Sequence, residues 1–578
     1  MGDNNKPRLQ PINKRHWQGF TIFGESQVLF SSLSSNSQRN QGKPPLWHGQ
    51  PLSKPGRLLG LGALLCTSLL AVLPSSVDAS NSPKPLVMVL GAEPDGGFDP
   101  ILGWGRYNNP LIQSALLRRA GGGEFIGDLA SDWTLSPDRL KWTVTLRPNL
   151  VFSDGSPLNA EDVAFIFELA RKGAGMQDLS NLAWVEQKSE LQVEFTLKQA
   201  DIGFIDTLAE LAIVPSDSYG PDYGQHPIGS GPYKMRRWDK GQQLILEANP
   251  RYQSADPDNP LLKKPFFDKL VIVFADEDSR FAMLRTGQLQ LSALAPRYAD
   301  ALMEQGNYRL WSQTSVDNRG IAWPMRAEDN PVTSELAVRQ AFDMVIDRQQ
   351  LVDGLLGGYA RPAWSIADDL PWGGAVPGWA DWDLKQRLLK ASELLANAGW
   401  LPGADGIREK NGRRLTFPLY YLAGDSIREQ LALASAQMAR MAGFEVEPKA
   451  DSWENIYRVM HKAPVLFGFG SLSANEMALI YDSRNAGKGY FNSGYYQNPL
   501  VDKALEKARE ADSVDSAIAF WQQAQQQISQ DVPWSWLVNL QHLYAANPCL
   551  YLGQPLVEPH GHGWPITNNI NQWRWQCP

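Results

Sequence analysis

The chain has 578 residues, a hydrophobic content of 43% and a formal net charge of −8 at pH 7. This length and composition allow a large buried core that is divided among two or three domains. The acidic balance argues against nucleic acid, and against an anionic membrane surface, as the main partner.

Two segments at the N-terminus differ from the rest of the chain. Residues 1–55 are polar and without helical or strand periodicity, which predicts a disordered extension, either real or the product of a start codon assigned too far upstream. Residues 56–79 have the pattern of a signal peptide. Lys54 and Arg57 form a basic flank, an apolar run of about 16 residues follows, and Ala79 is a small residue at the cleavage site. We predict a signal peptide, cleavage after Ala79 and a periplasmic location, with a buried helix as the alternative.

Cleavage would change both the charge and the cysteine count. Residues 1–79 hold eight Lys or Arg and three Asp or Glu, so the mature chain would carry a net charge of −13. Cys549 and Cys577 would remain, and an even pair in an exported chain predicts a disulfide that holds the C-terminal tail. No second apolar run reaches about 18 residues, so we expect the mature chain to be soluble.

Strand and helix patterns alternate from residue 141 onwards. Residues 141–146 (KWTVTL) alternate polar and apolar side chains, as in a half-buried strand. Asn159 precedes an amphipathic stripe and predicts a helix N-cap, with Asp162 three residues later. Residues 191–198 predict a second alternating strand, and residues 269–276 predict a central strand covered on both faces.

Helical patterns dominate the second half of the chain. Residues 279–287 predict a short helix, and residues 334–358 predict one long amphipathic helix that ends at a glycine pair. Residues 384–400 and 498–530 contain further amphipathic helices. The alternation predicts an α/β fold whose domains combine separated parts of the chain.

The stretch HPIGSGPYKMRRW, residues 226–238, contains two glycines that resemble part of a phosphate-binding loop. Such a loop requires a following Lys-Ser/Thr and a helix, and Pro232 removes a donor N–H where a phosphate would need one. We therefore predict a sharp bend in which Gly229 and Gly231 supply positive φ.

Motifs of the common hydrolases and metalloenzymes are absent from the sequence. There is no G-x-S-x-G, H-E-x-x-H or C-x-x-C motif, so we predict no enzymatic activity, no catalytic residue, no cofactor and no metal site. His560 and His562 offer a possible metal pair, but two histidines in a Gly/Pro-rich tail are more often a solvated loop. A secreted hydrolase with an unrecognised nucleophile–base pair is the alternative from another class of protein.

Tryptophan is abundant, with 21 residues, several of them beside glycine or in irregular stretches. Large rigid rings in loops suit the lining of a ligand cleft, and packing in the core is the alternative for each ring. The predicted ligand-binding residues, which include polar neighbours of the rings, are Trp104, Tyr107, Asn108, Trp323, Trp364, Phe469 and Ser471.

Six segments in chain order carry a family resemblance. They are FDPILG (98–103), GDLASDWTLSPDRLKWTVTLRPNLVFSDGSPLNAEDVAFIFE (127–168), HPIGSGPYKMRRWDKGQQLILEANPRYQ (226–253), PFFDKLVIVFADEDSRFAMLRTGQLQL (265–291), VRQAFDMVIDRQQLVDGLLGGYARPA (338–363) and YYQNPLVDKALEKARE (495–510). Together they resemble the family 5 extracellular solute-binding proteins, the peptide/nickel-binding components of ABC transporters. The resemblance extends from about residue 86 to the C-terminus.

The resemblance implies a two-lobed α/β fold of the periplasmic-binding-protein type II, with an inserted subdomain and discontinuous domains joined by a hinge. The implied parts are lobe I at 80–115, 216–310 and 536–578, the last with the C-terminal tail, the inserted subdomain at 116–215, and lobe II at 311–535. The lobes would close over a small ligand. The implied partners are that ligand and an ABC permease in the inner membrane, with no nucleic acid, and the protein is expected to be a monomer.

The same resemblance favours peptides as the ligand class without specifying an anchor. Peptide-binding relatives place an Asp shortly after a Gly-Trp pair, whereas here Phe469 stands at the Trp position and Glu476 is the nearest acid, at another spacing. The histidine of nickel-binding relatives is also missing from its place. A metal chelate such as a nickel complex is the alternative ligand, and a ligand sensor is the alternative role.

Overall fold

The computed structural model describes residues 85–577 apart from 107–110, 121–122, 174–176, 256–263, 555 and 562. The predicted N-terminal extension, signal peptide and cleavage site lie outside the described residues, as do Tyr107, Asn108 and His562. Among the helices that are described, none has the length and apolar character needed to cross a membrane.

Seven strands from distant parts of the chain form one mixed sheet, which we call the lobe I sheet. In order across the sheet they are Arg309–Gln313, His542–Ala546, Leu291–Ala293, Leu86–Val89, Lys269–Val273, Gln243–Ala248 and Tyr233–Asp239. The Leu86–Val89 strand is parallel to both of its neighbours, and every other pair is antiparallel. Helices Glu277–Arg285 and Ala299–Met303 accompany this sheet. The predicted interior position of the Lys269–Val273 strand is confirmed, but only one face is fully covered, because Leu270 and Ile272 are buried whereas Val271 and Val273 are partly exposed.

The inserted subdomain is an antiparallel sheet with its own hydrophobic core. Its strands, in order, are Ala130–Leu135, Lys141–Leu146, Gln192–Leu197 and Leu182–Ser189, with a hairpin of Leu117–Arg119 and Phe125–Gly127 beside them and the helices Ala160–Arg171 and Phe204–Glu210. The predicted alternation is confirmed, because Trp142, Val144 and Leu146 are buried. Asn159 caps the helix that follows it, and Asp162 completes a capping box.

Lobe II is a six-stranded sheet with a hydrophobic core on each face. Its strands, in order, are Ala360–Pro362, Trp534–Leu540, Asn318–Ala322, Val465–Phe469, Thr416–Leu422 and Glu445–Asp451. Its helices are Leu336–Val345, Arg348–Leu355, Leu384–Asn397, Ser426–Arg440, Trp453–Val459, Asn475–Tyr481, Pro499–Arg509 and Val514–Asp531. Short strands at Leu401–Pro402, Arg408–Lys410 and Arg413–Arg414 form a separate small sheet. Single-turn or kinked 3₁₀ helices occur at Tyr223–Gln225, Pro296–Tyr298, Ser483–Asn485 and Pro565–Gln572.

The helix predicted at 334–358 is two helices in the structure. It breaks between Val345 and Arg348, where Ile346 has an extended backbone and the side chain of Asp347 accepts the N–H of Gln350 at 3.0 Å. The aspartate side chain stabilises the start of a new helix, and this competes with continuation of the first helix. The apolar periodicity is the same in both cases and so does not predict the break.

The prediction of positive φ at Gly229 and Gly231 is wrong, because neither residue is in the left-handed region. The segment instead runs close to residues 111–113, and Gly231 donates its N–H to the carbonyl of Ile112 at 2.8 Å. A Cβ atom on Gly229 would lie 2.1 Å from that same carbonyl oxygen. Glycine is therefore required here for close approach of two backbones and not for a turn.

The chain crosses between the lobes at residues 314–317 and again at residue 541, and we call these segments the hinge. The predicted boundaries at 311 and 536 are a few residues early. Arg309–Gln313 still pairs in the lobe I sheet, and Trp534–Leu540 pairs in lobe II through its whole length.

The C-terminal tail is attached to lobe I by a disulfide. Cys549 and Cys577 are bonded, with Cα atoms 5.1 Å apart and a sequence separation of 28. Beside the bond, Leu550–Tyr551 pairs with Arg574–Trp575. In the chain-entropy description, closing a loop of this length stabilises the folded chain by about 3.5 kcal/mol.

Candidate functional site

A cavity of about 770 Å³ lies between the lobes. Its walls come from the inserted subdomain (118–120, 123–125, 202–203, 205–206, 209–210), the hinge and the tail beside it (314–316, 556–557, 559, 568), and lobe II (361, 369–372, 471–472, 474, 514, 521). A cavity of this size, walled by both lobes and by the hinge that joins them, has the arrangement of a ligand site.

The lobes also touch each other away from the hinge. Ser473 of lobe II donates a hydrogen bond to Asp206 of the inserted subdomain at 2.7 Å. Ser426 of lobe II donates to Glu277 of lobe I, also at 2.7 Å. Because these contacts join elements that only the hinge connects, the structure has the lobes closed on one another.

A buried charged cluster occupies the hinge. The carboxylate of Asp317 accepts hydrogen bonds from His542 at 3.0 Å and from His560 at 2.5 Å, and it forms an ion pair with Arg319. Burial favours the protonated acid, but the charges of Arg319 and His560 and the two hydrogen bonds hold the pKa of Asp317 well below its usual range. His560 is thus mostly buried against Asp317 of the hinge, which corrects the interpretation of this histidine as part of a solvated loop.

Glu558 is the second carboxylate partner of His542, at the Nδ1 atom of its ring. His542 Nδ1 lies 2.6 Å from Glu558 Oε2, and the hydroxyl of Tyr544 donates to the same oxygen at 2.7 Å. Burial alone would lower the pKa of His542, but the hydrogen bonds to Asp317 and Glu558 outweigh it and raise the pKa to about 9. Burial, together with the charges of Arg319 and Arg428, lowers the pKa of His560, and the contact with Asp317 compensates only in part.

Charged side chains of both signs face the cavity, and most of them have partners. Arg119 forms an ion pair with Asp206, and Arg361 forms one with Asp369. Glu210 also lines the cavity, and it makes no hydrogen bond or ion pair with any residue that the structure describes. The paired groups place charges of both signs in a wall that is otherwise mostly apolar, and Glu210 adds a carboxyl group without a partner among the described residues.

Comparison with known proteins identifies the family. The sequence profile described as "Bacterial extracellular solute-binding proteins, family 5 Middle" matches residues 124–486. The chain belongs to this family. Protein XP55 of Streptomyces lividans is 33% identical over 481 residues, which cover 80% of this chain and 85% of that protein.

Two solved structures show the same fold as this family 5 protein. The oligopeptide-binding protein AppA from Bacillus subtilis, in complex with a nonapeptide, has a TM-score of 0.71 at 23% identity and covers 85% of this chain and 98% of its own. NikZ from Campylobacter jejuni, in complex with Ni(L-His), has a TM-score of 0.73 at 24% identity and covers 85% and 99%. The predicted resemblance and the two-lobed fold are confirmed. As a member of this family the chain is an extracytoplasmic solute-binding protein and not an enzyme.

Three of the predicted ligand-binding rings lie in hydrophobic cores of this solute-binding protein. Trp323 is 0% exposed and packs in lobe II, where Phe469 also lies, on the other face of the sheet. Trp104 packs in lobe I against Phe98 and Trp564. None of the three lines the cleft, so the structure corrects their assignment, because the loops and strands that carry them direct the rings inward.

The other described candidates divide between two cavities. Ser471 lines the interlobe cleft, and its N–H donates to Glu476 at 2.8 Å. Trp364 lines a smaller cavity of about 250 Å³ within lobe II, where the guanidinium of Arg348 stacks over its ring at 4.1 Å. The guanidinium of Arg348 therefore already covers the ring face that a cationic ligand group would contact.

The cleft-lining charges were missed by the sequence analysis. Asp206 and Glu210 are four residues apart on a short, otherwise mainly apolar helix, so they share one face. That spacing was a usable signal for a polar wall. Trp521, whose ring lines the cleft, was hidden in a helix that has ordinary amphipathic periodicity.

Proposed function

We propose that this protein captures peptides in the interlobe cleft, in the periplasm, and delivers them to an ABC permease of the inner membrane. The observation that carries the proposal is the cavity of about 770 Å³, which is walled by both lobes and lined by charged groups of both signs. Peptides offer charged termini, backbone hydrogen-bonding groups and apolar side chains, which match a mostly apolar wall that carries charged groups of both signs.

The closed lobes support a capture mechanism. Opening at residues 314–317 and 541 would break the contacts of Asp206 with Ser473 and of Glu277 with Ser426, and so expose the cleft. A ligand that touches both lobes stabilises the closed form by its differential affinity for that form. A permease that recognises the closed form would then receive only loaded protein. The AppA complex with a nonapeptide, which shares this fold, supports peptides as the ligand class.

Ligand release tests the proposed substrate class. Protein purified natively from its host should release peptides when it is denatured, and mass spectrometry of the released material identifies them. The matched control is the same protein unfolded, washed and refolded before release, which should yield none. A metal–chelate complex as the released species would contradict the peptide proposal and favour the alternative indicated by the Ni(L-His) complex of NikZ.

Export is tested at the N-terminus. The pattern of residues 56–79 predicts that the mature protein begins at Ser80. N-terminal sequencing of protein from the periplasmic fraction of the native host measures this directly. A mature chain that still begins before Gly56 would show that the segment is not cleaved.

A further inference from the structure

Glu210 has an unusual position in the cleft. It is the last residue of the helix Phe204–Glu210, and it is partly buried in the cavity wall. No hydrogen bond or ion pair joins it to another residue in the part of the chain that the structure describes. A partly buried carboxyl group without a partner carries a desolvation cost that a ligand can relieve.

The surroundings of Glu210 contain charges of both signs. Asp206, one turn earlier, and Glu476 of lobe II disfavour a second negative charge, whereas Arg106 and Arg119 favour it. Arg119 is already paired with Asp206, and the guanidinium of Arg106 lies 4.8 Å from the ring of Phe491. Burial, reinforced by Asp206 and Glu476, raises the pKa of Glu210 to about 8.

The described cavity lining contains three guanidinium groups and four carboxyl groups, so it has one carboxyl group in excess and a cationic ligand group would balance it. The ion pairs Arg119–Asp206 and Arg361–Asp369 are internally neutral. A ligand ammonium beside Glu210 would complete a third pair inside a closed cavity, where such a charge-assisted hydrogen bond is strong.

We propose that Glu210 accepts the protonated amino group of the ligand and thereby selects ligands with a free amine. This rests on the proposed capture of peptides and names the terminus that is recognised. It places the amine anchor on the inserted subdomain and not on lobe II, where Phe469 lies. In the closed cleft burial raises the pKa of Glu210, and a ligand ammonium beside this carboxyl group would favour its ionised form and so release a proton.

The test uses the full-length mature protein, stripped of ligand by unfolding and refolding, and two pools of random-sequence tripeptides. One pool has free N-termini and the other is N-acetylated. Titration calorimetry should show that wild type binds the free pool and that E210Q binds it about 10- to 100-fold more weakly. E190Q is the matched control, since Glu190 is an exposed carboxylate of the same subdomain outside the cavity lining, and it should bind like wild type.

Calorimetry in buffers of different ionisation enthalpy measures the proton release, which E210Q should abolish. Equal binding of both pools by wild type would overturn the role of Glu210 and leave peptide capture intact, even if E210Q did not fold. Retention of wild-type affinity and proton release by E210Q would overturn it as well. Binding of neither pool by wild type would overturn peptide capture itself, and the inference with it.

Discussion

Trp323→Ala is expected to lower the free energy of unfolding by about 3–5 kcal/mol, the range for removing a large ring from a packed core. The indole is fully buried, and its ring makes edge contacts with Phe342 and Phe417 at centroid distances of 4.9 and 5.6 Å. Its Nε1 donates to the Ser535 hydroxyl at 3.0 Å, so the substitution also leaves a buried hydroxyl without its donor. Urea denaturation followed by circular dichroism measures the loss.

The matched control is Trp184→Ala, because Trp184 is 52% exposed and its removal leaves no cavity. Trp184→Ala should change the free energy of unfolding by no more than about 0.5 kcal/mol. Peptide affinity of the folded fraction of Trp323→Ala should be close to wild type. Wild-type stability combined with weakened peptide binding would return Trp323 to the ligand site.

The free energy of unfolding is expected to fall by on the order of 3 kcal/mol between pH 6.5 and pH 9 because of His542. The folded pKa, about 9, lies above the ordinary value of 6.5. The stabilisation by the charged imidazolium is therefore fully present below about pH 6.5, and it is lost as the pH rises through the folded pKa. The groups that face the ring are the carboxylates of Asp317 and Glu558.

Urea denaturation at pH 6.5, 8 and 9.5 measures this dependence in wild type and in His542→Gln. The difference between the two proteins should be largest at pH 6.5 and should shrink as the pH rises. Comparison with the variant is needed because the pKa of Glu210 is also raised in the folded protein, so ionisation of Glu210 also lowers the free energy of unfolding as the pH rises. A difference that is constant over the three pH values would show that His542 is not charged in the hinge cluster.

Local physical chemistry was sufficient for the elements and for the family. The alternation at residues 141–146 and the cap at Asn159 depend on side chains only a few positions apart, and both are confirmed. The family resemblance depends on the order of segments along the chain, which is also a property of the sequence. The helix break at Asp347 shows the limit, because a cap and an interior position compete there and periodicity alone cannot weigh them.

The hinge cluster was beyond local reasoning. Asp317 and His542 are 225 positions apart, and each is an ordinary polar residue in its own segment. Only the second crossing of the chain between the lobes brings them together with Glu558 and His560. The burial that shifts the pKa values of these residues is created by the same assembly.

The sequence by itself determined an α/β chain, because strand and helix periodicity are local properties, and the order of its segments carried the family resemblance that implied a two-lobed solute-binding protein. The tertiary structure alone decided which side chains line the interlobe cleft. Trp323 and Glu210 show the reason: the direction in which a ring or a carboxyl group points depends on how whole elements pack, and residue type does not encode it. The ring that was expected in the cleft lies in the core, and a carboxyl group from an apolar helix faces the ligand space instead.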